Sequence, residues 1–449
     1  MALENSTLYK QVLEIASNGA LGVHFTVSCE IKANGKTFIP LKVLAISTER
    51  NYDENFSDAI VLELAISAGT YSHDIFPYKD NLEIKLHQTP INEVADDENF
   101  STAMRVLPYR AVLIESGSPA LEGNHSGMSN KSTADLAQIK TVSIQLIDPL
   151  VEQLRMKSVG GVFRGVKAGD VIKTLLGNES KGLQLPADQQ VIGVDMISPY
   201  NQTVRDHILI PHGTKLCNAP LKIHNEAGGV YPTGLSYYLQ NQIWYVFPKF
   251  DISRFETTPK TLTVLNIPAN KMPGIERTYK KTANRIVVVA TGDVKHRDNT
   301  ETLLLNEGNG VRFADAAKIV GGFGEVIGNK LTLDRSSNNS EFVGEKRSTG
   351  LNNVIMSAAR ITSNAFLEMS KIASKAGSFV DLLWENSDPD LITPGMPVRL
   401  LYLIDDEVKE LYGLVLRTHT LRAPKQEGMT TKRYVTNTAL SLFVGRKLT

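Results

Sequence analysis

Cysteine is nearly absent. Cys29 and Cys217 are the two among 449 residues; they lie far apart and outside any Cys-x-x-Cys or Cys–His spacing, so no disulfide framework or zinc site is signalled. Both read as buried thiols of a reducing compartment. An excess of charge of either sign is missing too. Lys plus Arg and Asp plus Glu number 48 each, a formal net charge of zero, which removes the bulk attraction that sequence-independent nucleic-acid binding uses. Neutrality also gives little protection against self-association. Long hydrophobic runs are lacking: no stretch approaches the roughly 18 apolar residues of a membrane helix. The first residues, MALENSTLYKQVLEIASNG, are polar and acidic where a signal peptide is basic and then apolar. The expectation is a chain made and assembled in a cytoplasm, without membrane contact, whose Asn-x-Ser/Thr triplets at Asn55 and Asn201 carry no glycan.

Catalytic motifs are absent as well. No Gly-x-Ser-x-Gly, His-Glu-x-x-His, Walker loop or EF-hand pattern occurs. The stretch from Gly322 to Gly328 has the wrong glycine spacing for a dinucleotide loop and no clear strand before it. His207 and His212 are conceivable as a metal pair, but such histidines are more often structural. Asp388, Asp390, Asp405 and Asp406 sit on turns, where carboxylates commonly bond their own backbone rather than a cation. Paired carboxylates for glycoside cleavage cannot be picked out by spacing, because that geometry is three-dimensional. No catalytic, cofactor-binding or metal-ligating residue is assigned.

What the chain does have is β-structure, in an amount that its length divides among two to four domains. After a short amphipathic helix over 8–17, ended by Asn18-Gly19, the period changes to two. Strands are expected over 24–31 and 38–48, joined through Ala33-Asn34-Gly35-Lys36, whose Asn-Gly is a strong hairpin signal. Further strands follow over 59–68, 81–88, 105–116 and 138–147, with a polar loop over 115–135. Six strands in so short a span fit a small antiparallel barrel or sandwich. This is the first module, 1–148.

Asp148-Pro149 then reads as an N-cap with proline at the first helical position, opening a small α+β domain over 149–258. There Asp170 is expected to cap a helix over 171–176, closed by Gly177. A helix or strand follows within 198–213. One of the two Trp and four of the fourteen Tyr cluster at Tyr231, Tyr237, Tyr238, Trp244 and Tyr245, beside Phe247, Phe250 and Phe255. The cluster is either a domain core or a contact surface. Only Lys249 and Arg254 interleave it, too few for a base-stacking platform, and core packing is the better account.

A second β module is expected from strands over 261–267 and 285–291 joined to a four-stranded antiparallel unit over 378–444 (259–293 and 377–449). Between them lies an insertion, 294–376, with polar loops and a long helix from about Asn353 to Lys375, where Val354, Ala358, Ile361, Ala365, Phe366, Met369 and Ile372 recur at three- and four-residue spacing. Within the last strands Tyr412, Leu414, Leu416 and Thr418 are expected on one face, then Tyr434, Thr436, Thr438, Leu440 and Leu442. The fold class is thus mainly β with α+β insertions: two small antiparallel β-barrel modules plus a small α+β domain.

Five segments carry a resemblance: Pro211-His212-Gly213-Thr214, Tyr231-Pro232-Thr233-Gly234, Tyr237-Tyr238-Leu239-Gln240, Trp244 to Pro248, and Leu391 to Val398. Together they resemble segments of the central baseplate hub proteins of long-tailed bacteriophages, a pattern that spans about half the chain. The resemblance implies two barrels similar to the tail-tube fold, a homotrimer forming a pseudo-sixfold ring, and partners in the tail tube protein, the spike protein and other baseplate proteins. It implies a virion location and, since no room is left for a fused lytic domain, no enzyme. A closed ring would also protect exposed sheet edges. Two other readings remain. A tail-associated carbohydrate-binding or cell-wall-degrading module needs Trp244 and Tyr245 exposed beside carboxylates; another tube-initiating or baseplate component would lack the two-barrel count. The loops over 115–135 and 336–345 are too polar to fold alone and are expected to order against neighbouring proteins.

Overall fold

The computed structural model describes residues 6–17, 24–91, 104–114, 139–274, 276–292, 377–404, 407–425 and 433–445, with short pieces between 311 and 374. Helix α1 (Thr7–Ser17) buries Leu8, Val12 and Ile15, and its start is capped by Ser6, whose hydroxyl accepts from the Tyr9 amide at 3.1 Å. Strands β1 (Phe25–Ala33) and β2 (Lys36–Phe38) form the expected hairpin. Asn34 and Gly35 supply it with φ of 47° and 75°, the two positive values that this turn requires. Pro40 lacks an amide hydrogen to give to the ladder, and extended structure resumes only at β3 (Lys42–Asn51). Then come β4 (Ala59–Ser67), β5 (Leu82–Pro90), β6 (Arg105–Leu113) and β7 (Ile139–Ile147).

Helix α2 (Pro149–Met156) opens as its sequence dictates, with the Asp148 carboxylate accepting from the Leu150 amide at 2.8 Å. The α+β unit continues through β8 (Ser158–Lys167), α3 (Ala168–Glu179), β9 (Gly193–Met196), β10 (Val204–Lys215), α4 (Ala219–Glu226), β11 (Leu235–Gln240) and β12 (Ile243–Pro248). Two expectations fail at α3. Its N-cap is Lys167, so Asp170 lies in the first turn, where its charge favours the helix N-terminus without capping it. Gly177 lies inside the helix, because Val171, Ile172, Leu175 and Leu176 are packed down by the surrounding core and outweigh one glycine.

The second half holds β13 (Thr261–Asn266), β14 (Tyr279–Lys281), β15 (Arg285–Ala290), β16 (Ser378–Trp384), β17 (Pro397–Ile404), β18 (Glu407–Pro424) and β19 (Tyr434–Gly445). The last four pair antiparallel, as read from sequence. β13 pairs in parallel with β15 and β17. Every residue of β13 is buried, as a central parallel strand requires, and α1 provides the outer cover through Leu265, Ile267, Val289 and Leu401.

These strands make one ladder that closes on itself twice. The first circuit runs β1-β5-β6-β7-β4-β3-β18-β19 and returns to β1 through the pair Phe25–Tyr434. The second runs β16-β19-β18-β17-β13-β15 and returns to β16 where Thr291 and Leu383 exchange backbone hydrogen bonds of 2.9 and 2.7 Å. Both circuits use β18 and β19. The 18-residue β18 gives its first part to β17 and its 417–422 part to β3, and between these parts its register against β19 shifts at Val415/Arg417. That bulge breaks the alternation expected along the strand. Leu414, Val415 and Leu416 are consecutively buried, and only beyond it do Thr418 and Thr420 alternate with exposed Arg417, His419 and Leu421. β19 alternates as expected as far as Leu442, with Tyr434, Thr436, Thr438, Leu440 and Leu442 buried, and beyond it Phe443, Val444 and Gly445 are buried in succession.

Three cores fill these parts. Cys29, Ile31, Leu62, Ile84 and Ile144 belong to the first circuit; Val264, Trp384, Val398, Leu400 and Phe443 to the second; Ile172, Leu176, Tyr231 and Trp244 to the α+β unit. Cys217 is buried like Cys29. In the insertion, the expected helix from Asn353 meets a strand instead: Val354–Met356 pairs with Lys346–Ser348, in keeping with the β preference of Val354 and Ile355. Among the described residues of this stretch, Phe366 is helical. In the loop expected over 336–345, Glu341–Gly344 pairs with Val311–Ala314. The loop at 115–135, residues 306–310 among the insertion's polar loops, the turns at 18–19 and 405–406, and residues 322–325 and 328 of the glycine motif lie outside the described residues. Among the described residues no helix is long and apolar enough to cross a membrane.

A charged joint as the candidate functional site

The richest cluster of ionic groups sits where three distant segments meet. Arg50 is the penultimate residue of β3, and Asp58 precedes β4. Its guanidinium donates from Nε to Asp58 Oδ2 at 3.1 Å, from Nη1 to the Pro389 carbonyl at 3.2 Å and from Nη2 to Asp390 Oδ1 at 3.1 Å. Three directed bonds from one rigid fork hold it without a free rotamer. Arg105 of β6 donates to the other Asp390 oxygen at 3.3 Å. Burial works against the Arg50 charge, but Asp58, Tyr52 and Asp390 outweigh it and hold its pKa well above the ordinary value. Asp390 is enclosed by the surrounding strands, yet 42% of its side chain faces open space. Burial opposes its ionisation too, and Arg50, Arg422 and Arg105 overcome it, keeping the carboxyl below its usual range.

The third segment comes from the α+β unit. Tyr238 donates to Asp58 Oδ1 at 2.8 Å, and Tyr52 donates to Gln240 Oε1 at 3.3 Å. Gln240 Nε2 donates to the Ile392 carbonyl at 2.9 Å, and the Ser236 hydroxyl donates to the Tyr52 carbonyl. The Tyr52 and Tyr238 rings meet edge to face at 4.8 Å, a favourable aromatic geometry. Burial pushes both phenols up, so they stay protonated donors. Beside them opens a cavity of about 450 Å³ lined by Arg50, Asp58, Arg105, Asp148, Asp390 and Arg422, among others. Arg422 is held by Gln88 at 2.6 Å and Thr436 at 3.1 Å and lies over the Phe25 ring.

Asp388 caps the short turn Pro389–Leu391 by accepting from the Asp390 amide at 3.3 Å. Burial, with the Asp390 charge beside it, pushes its carboxyl up to about 6. A folded-state pKa above the unfolded value of 3.8 means that folding favours the protonated form; the benefit is full below about pH 4 and lost as pH rises through 6. Asp388→Asn keeps a capping side chain and removes that loss. Chemical denaturation should find the variant about 1–2 kcal/mol more stable at pH 7.5, a figure reduced for the residue's partial exposure, and equal to the parent at pH 4.

Of the turn carboxylates, Asp390 therefore meets arginines and Asp388 bonds its own backbone. Among the described residues no three His, Cys, Asp or Glu come together as metal ligands. His207 and His212 both lie exposed on β10, separated by a register shift between Ile210 and Thr214. The Ser47 hydroxyl is 2.9 Å from His419 Nε2, but the pair stands on an open sheet face and Glu49, across from His419, is engaged by Arg417. Among the described residues no third group orients the imidazole as nucleophilic catalysis requires. Trp244 is fully buried, its indole donating to Ser180 at 3.0 Å, and Tyr245 is half-buried. The aromatic cluster is core, not a sugar platform. Arg50, Tyr52, Asp58, Arg105 and Arg422 escaped sequence reading, since no local motif links them and most of their partners lie 180 or more residues away.

No protein-family model matches the sequence, and no curated protein sequence matches it. Among solved structures, a tail protein from Neisseria meningitidis is 13% identical with a TM-score of 0.43, over 93% of this chain and 96% of that one. The 43 kDa tail protein of prophage MuSo2 from Shewanella oneidensis is 9% identical with a TM-score of 0.41, over 94% and 99%. A component of the type VI secretion system of E. coli is 8% identical with a TM-score of 0.40, over 93% and 77%. At these identities and scores the three are likenesses and assign the chain no family.

Proposed function

We propose that the chain is a structural protein of a phage-type tail, a baseplate hub whose homotrimer rings the tail channel and joins the tail tube to the central spike. The observation that carries this reading is the double closure of one strand ladder on a shared pair, β18 and β19. Two circuits read as two barrels, so three copies around an axis offer six similar units to a sixfold tube and a threefold face to a spike. On this reading the division stays that of the sequence, 1–148, 149–258, and 259–293 with 377–449 around the insertion 294–376, with β18 and β19 serving both barrels. The charged joint supports the same reading. A ring that bears load needs its parts fixed relative to one another, and the joint ties residues 50–58, 236–240 and 389–392 with directed bonds.

No catalytic role is assigned to the joint, because its carboxylates are occupied by arginines and a tyrosine. Purified assemblies test the proposal by mass. The expected species is three times the 49.3 kDa chain; a hexamer or larger ring contradicts it.

A further inference from the structure

A second cavity, of about 270 Å³, lies between α1 and the outer face of the second circuit. One wall is cationic: Lys280 of β14, Arg285 of β15 and Arg399 of β17. Val287 and Leu401, two residues along the same strands, put apolar surface beside these cations, Ile15 of α1 adds to it, and Glu14 is the carboxylate in the lining. The charges do not cancel. Lys280 is paired with Glu14 at 2.7 Å. Arg399 Nε stands 2.6 Å from Glu410 Oε1 but is not aligned with it as a hydrogen bond, and Glu410 also accepts from Tyr412. Arg285 has no carboxylate partner among the described residues, and its backbone amide is held by the Thr282 hydroxyl at 3.2 Å, which fixes the base of its side chain.

An uncompensated guanidinium attracts an anion, and the apolar side chains beside it reward a ligand that carries hydrocarbon behind its charge. We infer that this pocket binds a carboxylate borne on an apolar body, such as an aliphatic acid or an acidic group at the apolar end of a peptide. The site is independent of the charged joint and of the hub reading.

Hexanoate is the probe, with hexanol and inorganic phosphate as its uncharged and non-apolar counterparts. Calorimetric titration of the full chain should give hexanoate a Kd on the order of 1 mM, with hexanol and phosphate each at least about tenfold weaker. Arg285→Ala should weaken hexanoate about tenfold, one charge-assisted bond lost. Glu14→Gln, on the exposed rim, should strengthen it severalfold by removing the competing carboxylate. The inference is overturned by hexanol or phosphate binding as tightly as hexanoate, by an Arg285→Ala variant that binds like the parent, or by no hexanoate binding at about 20 mM.

Discussion

Gly413→Ala should abolish the soluble folded protein. A Cβ at this position would sit on the Phe443 carbonyl, 2.7 Å from its carbon and 2.9 Å from Val444 Cα. All of these are backbone atoms of β19 in the ladder that both circuits share, and Gly413 pairs directly with Val444. A flexible side chain can swing away from an added methyl, but a paired strand moves only by breaking its hydrogen bonds. Loss of more than about 4 kcal/mol is expected, the range reserved for such backbone clashes. Gly274→Ala, where nothing lies within 4 Å of the added atom, is the control and should express and melt like the parent. Recovery of folded Gly413→Ala would show that the shared pair is looser than its geometry requires.

Arg50→Met should cost about 3 kcal/mol. Methionine fills much of the space but leaves Asp58 with Tyr238 alone and Asp390 with Arg105, two carboxylates deprived of their buried cation. The Pro389 carbonyl loses its donor as well. Adding Asp58→Asn should return about half of that loss, because the uncompensated charge goes with it. Urea unfolding followed by tryptophan fluorescence reads the effect in two places, since Trp384 lies in the core of the second circuit and Trp244 in that of the α+β unit, both fully buried. A joint that couples the parts shifts both signals together. A shift confined to one tryptophan, or none, would mean that Arg50 does not hold the parts to each other.

The features legible in sequence are those whose signals are local. Asn34-Gly35 dictates a turn, Asp148-Pro149 a helix start, and alternation along β19 its buried face, each within a few residues. The aromatic run was legible as core because large rings without interleaved cations have little use on a surface. What was not legible depends on distant pairing. Phe25 meets Tyr434, and Arg417 to Arg422 of the last long strand face β3, so the two modules share strands that a linear count assigns to one of them. The bulge at Val415/Arg417 that makes this sharing possible carries no residue signature, since Leu416 and its neighbours alternate no less plausibly without it. At the joint, the sequence places Asp388 and Asp390 on a turn, where a carboxylate bonds its own backbone or a cation; Asp388 caps, and the cation for Asp390 is Arg50, from the other end of the chain.

A reconstruction of a tail with this chain traced tests the hub reading most directly. It should show three copies around one axis, with six strand circuits ringing a central channel, the tube on one side and the spike on the other. Six copies in the ring, or a position on the periphery away from the channel, would contradict it.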